Sequence, residues 1–334
     1  MSIKVAFAGF RHGHVQSMYQ TAQRLEYVEI VACVDEGGPE AHGSSIPVLG
    51  AQLTHENLDQ VIADVDFDVL ACADVYARRG EHVIKALEAG KHAITDKPLC
   101  TRVEELQAIA RLARERGLQV MVDLTMRYAA PYYKLVKIVQ QGGIGELSSA
   151  MVTGLHPMAY GSRPMWYFEP GKHGGTLNDL MIHGVDLIRW ASGKEFEKVI
   201  AASATCHRAP VPFFQDSAQV FYEMSGGTKY LGDCSYMAPE GCPEHWRFFL
   251  WGSEGSVRLA DSGQVEWYRA GEGAQEVPEV APPCSDPFED FVSALQFGTE
   301  RWLPNEECFR SNMAALAGQL AADTGERDLA VPVV

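Results

Sequence analysis

The 334-residue chain is short of several things, and each shortage narrows its role. No apolar run approaches the ~18 residues that a membrane span needs. The first nine residues lack a basic segment followed by an apolar one, so no secretory leader is expected. Basic residues are few: 28 Lys and Arg stand against 44 Asp and Glu, a net charge of -16. That balance argues against nucleic acid or an anionic membrane surface as a partner, though it leaves room for a locally basic pocket. The eight cysteines (33, 72, 100, 206, 234, 242, 284, 308) are scattered, with no Cys-x-x-Cys pair. They read as buried free thiols of a reducing, cytoplasmic protein. Internal repeats and low-complexity tracts are absent, and so is a complete Gly-x-Gly-x-x-Gly signature.

What is present is an ordinary globular composition, 46% hydrophobic and 22% charged, with enough length for two domains. The first half alternates between two periods. An apolar run over 3–8 ends at Gly9, a helical segment reaches about Leu25, and a second apolar run over 28–34 ends at Asp35. Strand, glycine turn, helix, strand and terminal acid form a dinucleotide-binding unit. Gly9, Phe10, Arg11, His12 and Gly13 make the expected phosphate loop, with Arg11 at the second glycine of the usual pattern and His14 at the third. Arg11 can offer its guanidinium to a pyrophosphate. Asp35 follows Gly9 at roughly the spacing of the acid that binds the adenosine ribose, and its charge favours NAD over NADP. The alternation continues with helices expected over 57–63, 80–89 and 104–116, and strands over 67–73, 92–95 and 118–122. Repeated β-α-β units imply a parallel sheet with ligands at the carboxyl ends of its strands. Lys97, between Asp96 and Pro98, stands at such an end.

After Gly145 the pattern changes. A loop over 156–173 is rich in aromatics, and Tyr160 and Trp166 are its candidates for lining a substrate pocket. Arg163 and Lys172 lie in the same loop, but no patch of basic residues marks a phosphorylated or acidic sugar. Next comes Gly174 to Trp190, which has helical periodicity. On an α-helix Leu177, Met181, Gly184, Val185 and Ile188 share one stripe, while Asp179, His183, Asp186 and Trp190 share the other. The second stripe is either a solvated face or a proton-handling row in which Asp179 holds the His183 imidazole. Six strand-like runs between 199 and 268 suggest an antiparallel sheet with one open face, suited to pairing in a homodimer or homotetramer. Helices are expected from about Asp286 and over 305–322.

Three motifs together resemble the Gfo/Idh/MocA family of glucose–fructose oxidoreductase and inositol dehydrogenase. They are the first strand with Gly9 and Gly13, the stretch from Ala86 to Pro98 ending in Asp96-Lys97-Pro98, and the Gly174-Gly175 helix with Asp179, His183 and Asp186. Arg127 with Pro131 and the turn 143–146 agree. The resemblance implies an α/β plus α+β chain. Residues 1–123 would form a doubly wound Rossmann domain. Residues 124–334 would form an α+β domain on a large, mostly antiparallel open-faced sheet, with the last helix free to pack back on the first domain. It implies NAD as cofactor, Lys97 and His183 as the catalytic pair, and Asp179 as their support. Asp74, Tyr76 and Asp96 fall at cofactor contacts, and Lys97, Arg127, Tyr160, Trp166, Asp179 and His183 at the substrate. Asp74-Val75-Tyr76 and Arg79 depart from the family's Thr-Pro-Asn and following histidine, so nicotinamide-side contacts should differ. No metal is expected, since a hydrogen-bonded triad explains Asp179, His183 and Asp186 better than ligation. The expected activity is hydride transfer from a secondary alcohol of a sugar, inositol or polyol. A redox-neutral glycoside-cleaving enzyme and a non-catalytic nucleotide- or sugar-sensing regulator are the alternatives.

Overall fold

The computed structural model describes residues 2–38, 42–242, 245–260 and 263–334. Its first sheet forms where apolar runs are bounded by turn residues. β1 (Ile3–Ala8), β2 (Val28–Val34), β3 (Val69–Cys72), β4 (His92–Asp96) and β5 (Val120–Asp123) pair in parallel in the order β2-β1-β3-β4-β5. β3 and β5 are buried throughout, as parallel strands covered on both faces must be. The connections are helical: α1 (Val15–Arg24), α2 (Ile46–Leu49), α3 (Leu58–Asp64), α4 (Tyr76–Glu88) and α5 (Val103–Arg116). α4 starts four residues earlier than its sequence pattern suggests, so Tyr76 belongs to its first turn.

α6 (Ala130–Gln140), with Pro131 in its first turn, leads to β6 (Leu147–Leu155). The glycine-opened helix follows, as a π-helical turn over Leu177–Met181 that runs into α7 (Ile182–Ser192). The remaining strands are β7 (Phe196–Thr205), β8 (Ser217–Met224), β9 (Lys229–Ser235), β10 (Trp246–Gly252), β11 (Gly255–Leu259), β12 (Val265–Arg269) and β13 (Gly273–Gln275). They are followed by α8 (Pro287–Phe297), α9 (Asn305–Thr324) and β14 (Leu329–Ala330). These strands and β6 form a nine-stranded sheet, antiparallel except at the β6–β9 pair.

One face of that sheet is covered by α7 and its preceding π-turn. Gly184 lies against Tyr230 and Val152, where a Cβ would come within 2.5 Å of the tyrosine oxygen. The stripe Leu177, Met181, Gly184, Val185 and Ile188 is buried against the sheet, as its spacing predicts. The opposite stripe is not a solvated face: Asp179, His183 and Asp186 are buried as well. What covers them is the first domain and α9, which touches α5 and β5 on one side and α7 and β7 on the other. Asn305 pins this helix by accepting from Val120 N and donating to Leu118 O. Five of the eight cysteines are buried, while Cys206 is exposed and Cys242 and Cys284 are partly so.

Candidate active site

The site is assembled where β1, β4 and β5 end and the π-turn enters from the second sheet. Gly9 has φ of 82°, and a Cβ there would meet Asp74 at 2.4 Å, so this glycine is required by the close approach of the β1 and β3 ends. Phe10 turns its ring into the core beside Phe7 and Tyr19 and donates its N–H to Asp35. The Arg11 guanidinium comes within 3.7 Å of Asp35, with its Nε buried and without a partner. Asp35 itself accepts from Phe10 N at 3.2 Å and Gly37 N at 3.0 Å. A carboxylate has about four acceptor sites, so capacity remains for ribose hydroxyls. The position of a Gly13 Cβ is open space. These groups fit a dinucleotide at the β1 end.

Asp74 and Tyr76, expected at the cofactor, are taken up within the protein. Asp74 accepts from His82 at 2.9 Å and from Val75 N at 2.7 Å. Tyr76 is fully buried and shares a 2.7 Å bond with the Tyr167 hydroxyl. Asp96 is a buried hub that binds Arg79 at 3.0 Å and His14 Nδ1 at 2.8 Å and contacts His12 Nδ1. Arg79 also donates to the carbonyls of Asp74, Asp96 and Lys97, so it clamps the chain that presents Lys97. Burial pushes the His12 imidazole down to about 4 despite Asp96. For His14 burial opposes the charge, but Asp96 outweighs it and raises the imidazole above its ordinary value.

Lys97 Nζ reaches across to the π-turn, donating to Asp179 Oδ1 at 2.5 Å and to the Asp179 carbonyl at 3.1 Å. Asp179 Oδ2 receives the Tyr236 hydroxyl and faces His173 Nε2 at 3.2 Å. Burial opposes the Asp179 charge, but Lys97 and then His173 hold its carboxyl well below the usual range. Asp179 therefore holds Lys97 and makes no hydrogen bond to His183. The His183 imidazole stands edge-on to Trp246 with Nδ1 buried and unpartnered. Burial, then the charge of Lys97, push it far below its ordinary value, so it is neutral. The expected row of Asp179, His183 and Asp186 does not exist. Asp186 faces elsewhere, bonding Arg127 at 2.6 and 2.7 Å and Ser311 at 2.8 Å.

A cavity of about 370 Å³ lies at this junction, lined by His12, Gly13, His14, Lys97, Thr125, Met126, His156, Arg163, Tyr167, Asp179, His183 and Trp246. Three expected substrate residues are not among them. Arg127 is consumed by Asp186. Tyr160 is half exposed and packs on Phe168. Trp166 is buried, with its indole N–H on the Arg11 carbonyl at 3.0 Å, and so pins the aromatic loop over the phosphate loop. His14, His156 and Arg163, which line the cavity, and Tyr236, which bonds Asp179, are not among the site residues expected from sequence. His14 was legible as a departure from the third glycine, whereas Tyr236 stands just past the end of β9 with no signal of its own.

Comparison with known proteins agrees with this fold. The description "Oxidoreductase family, NAD-binding Rossmann fold" matches residues 3–124, and "GFO/IDH/MocA C-terminal domain" matches 132–258. The chain belongs to the Gfo/Idh/MocA family of oxidoreductases. NAD is the cofactor of its Rossmann fold. An uncharacterised oxidoreductase of Synechocystis is 30% identical over 64% of this chain, which spans 60% of that relative's length. Inositol 2-dehydrogenase 3 of Saccharopolyspora erythraea is 28% identical over 73% of this chain and 69% of its own. Among solved structures, levoglucosan dehydrogenase in complex with NADH and levoglucosan covers all of both chains at a TM-score of 0.81 and 19% identity, which shows a shared fold. No helix among the described residues is long and apolar enough to cross a membrane.

Proposed function

We propose that this member of the family oxidises a secondary alcohol of a sugar or polyol, with Lys97 at the reacting oxygen. The observation that carries the reading is the bond from Lys97 to Asp179, which joins the end of β4 to the π-turn at one cavity. An ammonium has three donors. Lys97 uses two on Asp179, and loss of the third proton to solvent leaves a lone pair that takes the proton of the substrate hydroxyl as its carbon gives up hydride, which restores the ammonium. The unpartnered Nδ1 of neutral His183 can bond a hydroxyl of the same ligand and orient it. NAD⁺ supplies the hydride acceptor when bound. His14, supported by Asp96 and partly exposed, offers the released proton a way to solvent. A panel of polyols and glycosides assayed with NAD⁺, following NADH and aglycone together, tests the reading. NADH accumulation supports it, and aglycone release without NADH would replace it with the redox-neutral reaction.

The acid at the end of β2 supports NAD over NADP, because Asp35 would repel a 2′-phosphate. Titration with both dinucleotides should show tighter binding of NAD. Equal or tighter NADP binding would mean that Arg11, 3.7 Å away, has neutralised the carboxylate.

The far face of the nine-stranded sheet exposes Leu231, Trp251 and Tyr268, with Phe249 and Trp251 stacked at 6.0 Å. Such a face supports a homodimer or homotetramer formed through it. Light scattering at micromolar concentration should give a multiple of 36.7 kDa, and a monomer would rule the assembly out.

A further inference from the structure

The cavity that holds Lys97 and His183 is locally cationic within an acidic protein. Its lining includes two formally cationic side chains, Lys97 and Arg163, and one carboxylate, Asp179. That carboxylate is bonded to Lys97. Arg163 makes its hydrogen bonds to backbone carbonyls instead: Nε donates to Met158 O at 3.2 Å and Nη2 to Pro157 O at 3.0 Å. Its guanidinium lies 4.7 Å from the Tyr167 ring centre and 5.2 Å from that of Tyr236. Among the described residues no carboxylate pairs with it.

The loop is shaped to hold this side chain. Ala159 has φ of 49°, in the left-handed region that a residue with a Cβ rarely adopts. Its carbonyl accepts the N–H groups of Ser162 and Arg163, at 3.1 and 2.8 Å. The turn thus brings Arg163 back over its own loop carbonyls. A guanidinium has five donors. Two are spent on Met158 and Pro157, and Nη1 together with the second Nη2 hydrogen remains. Two parallel N–H groups on one edge match a carboxylate. The ordering cost of a long side chain is met before any ligand arrives, which raises affinity for one. A cation that served only to close the loop would need the two carbonyl bonds and no cavity. The other cavity imidazoles do not compensate it. Burial pushes His156 down to about 4, so it carries neither charge.

We infer that the substrate is a polyhydroxy acid, a sugar or polyol bearing a carboxylate, and that Arg163 binds this carboxylate while a hydroxyl stands at Lys97. The inference deepens the proposed function and rests on it for the position of the reacting hydroxyl. It also reverses the expectation from sequence that no basic patch marks an acidic substrate. Arg163 is one residue of an aromatic loop, and only folding puts it in the cavity with Lys97.

Two isosteric pairs test it: D-glucuronate against D-glucose, and D-gluconate against D-glucitol. Binding to the full chain is measured calorimetrically without cofactor, and NAD⁺ reduction is followed separately. Each acid should bind about tenfold or more tighter than its neutral partner, with an advantage that shrinks as salt is added. Arg163→Met should collapse the acid-to-neutral ratio toward one, and Arg163→Lys, which keeps the charge but loses the fork, should restore it in part. Melting curves identify any variant that fails to fold, and the wild-type ratio is decisive by itself. An acid that binds no better than its neutral partner overturns the inference, as does an Arg163→Met chain that weakens both equally. Acid binding that persists while no alcohol is oxidised would leave the inference standing and defeat the dehydrogenase reading instead.

Discussion

Lys97→Ala is expected to lower kcat by about 10²-fold or more, the scale of lost proton transfer at a reacting oxygen. Asp179→Asn should come close to it. From sequence alone Asp179 supports His183 and its loss should be the milder change. In the structure it is instead the one carboxylate bonded to Lys97 among the described residues, and it also receives Tyr236 and faces His173. An amide there removes the charge that positions the ammonium. His183→Ala should cost less than either, because its imidazole is neutral and bonds neither Lys97 nor Asp179. The pH dependence follows from the same pair. A carboxyl depressed in the folded state contributes stability that is present above its unfolded value, about 3.9, and is lost only as pH falls through the folded value. Asp179 is depressed, so the bond to Lys97 should survive through the ordinary carboxylate range. Turnover under single-substrate conditions, with NAD dissociation constants for folded variants, checks the ranking. A full loss in His183→Ala beside a mild one in Asp179→Asn would return the catalytic role to the histidine.

Asp186→Ala is expected to act on stability rather than on turnover. Asp186 and Arg127 are both almost wholly buried, in a two-bond pair at 2.6 and 2.7 Å. Breaking such a pair leaves an uncompensated buried charge and costs about 3–5 kcal/mol. The low end is expected, because Glu307 stands 3.4 Å from Arg127 and can take part of the charge. The Ser311 hydroxyl loses its acceptor as well. Urea unfolding gives the loss, and kcat per folded molecule should stay near that of the parent chain. A variant with unchanged stability and Lys97→Ala-like turnover would place Asp186 in the active site, where its motif spacing first suggested it.

Much of the fold was legible because it rests on local patterns. Gly9 after an apolar run, Asp35 at the end of the next and Lys97 at the end of β4 follow from strand period and turn chemistry, which act over a few residues. The helix from Gly174 was legible for the same reason, and so was the buried stripe beginning at Leu177. The opposite stripe is ambiguous in sequence, and the structure matches neither a solvated face nor one continuous row. Helical phase says that Asp179, His183 and Asp186 lie near one another, but not which neighbours cover them. A π-turn at its start, Lys97 arriving from the first domain and Arg127 with Ser311 on the other side divide the row between an active site and a structural pair.

By itself, then, the sequence determined the two-sheet architecture, the dinucleotide loop and the candidacy of Lys97 and His183 as a pair, with Asp179 as their support. Those depend on residue type and short-range spacing. Only the tertiary structure decided that Asp179 bonds Lys97 rather than His183, that Arg127 pairs with Asp186 and Trp166 with the Arg11 carbonyl, and that no carboxylate among the described residues pairs with Arg163. Each of these turns on which buried charge meets which partner across segments tens of residues apart, and the Coulomb and desolvation energies that settle it depend on distance and burial, not on order along the chain.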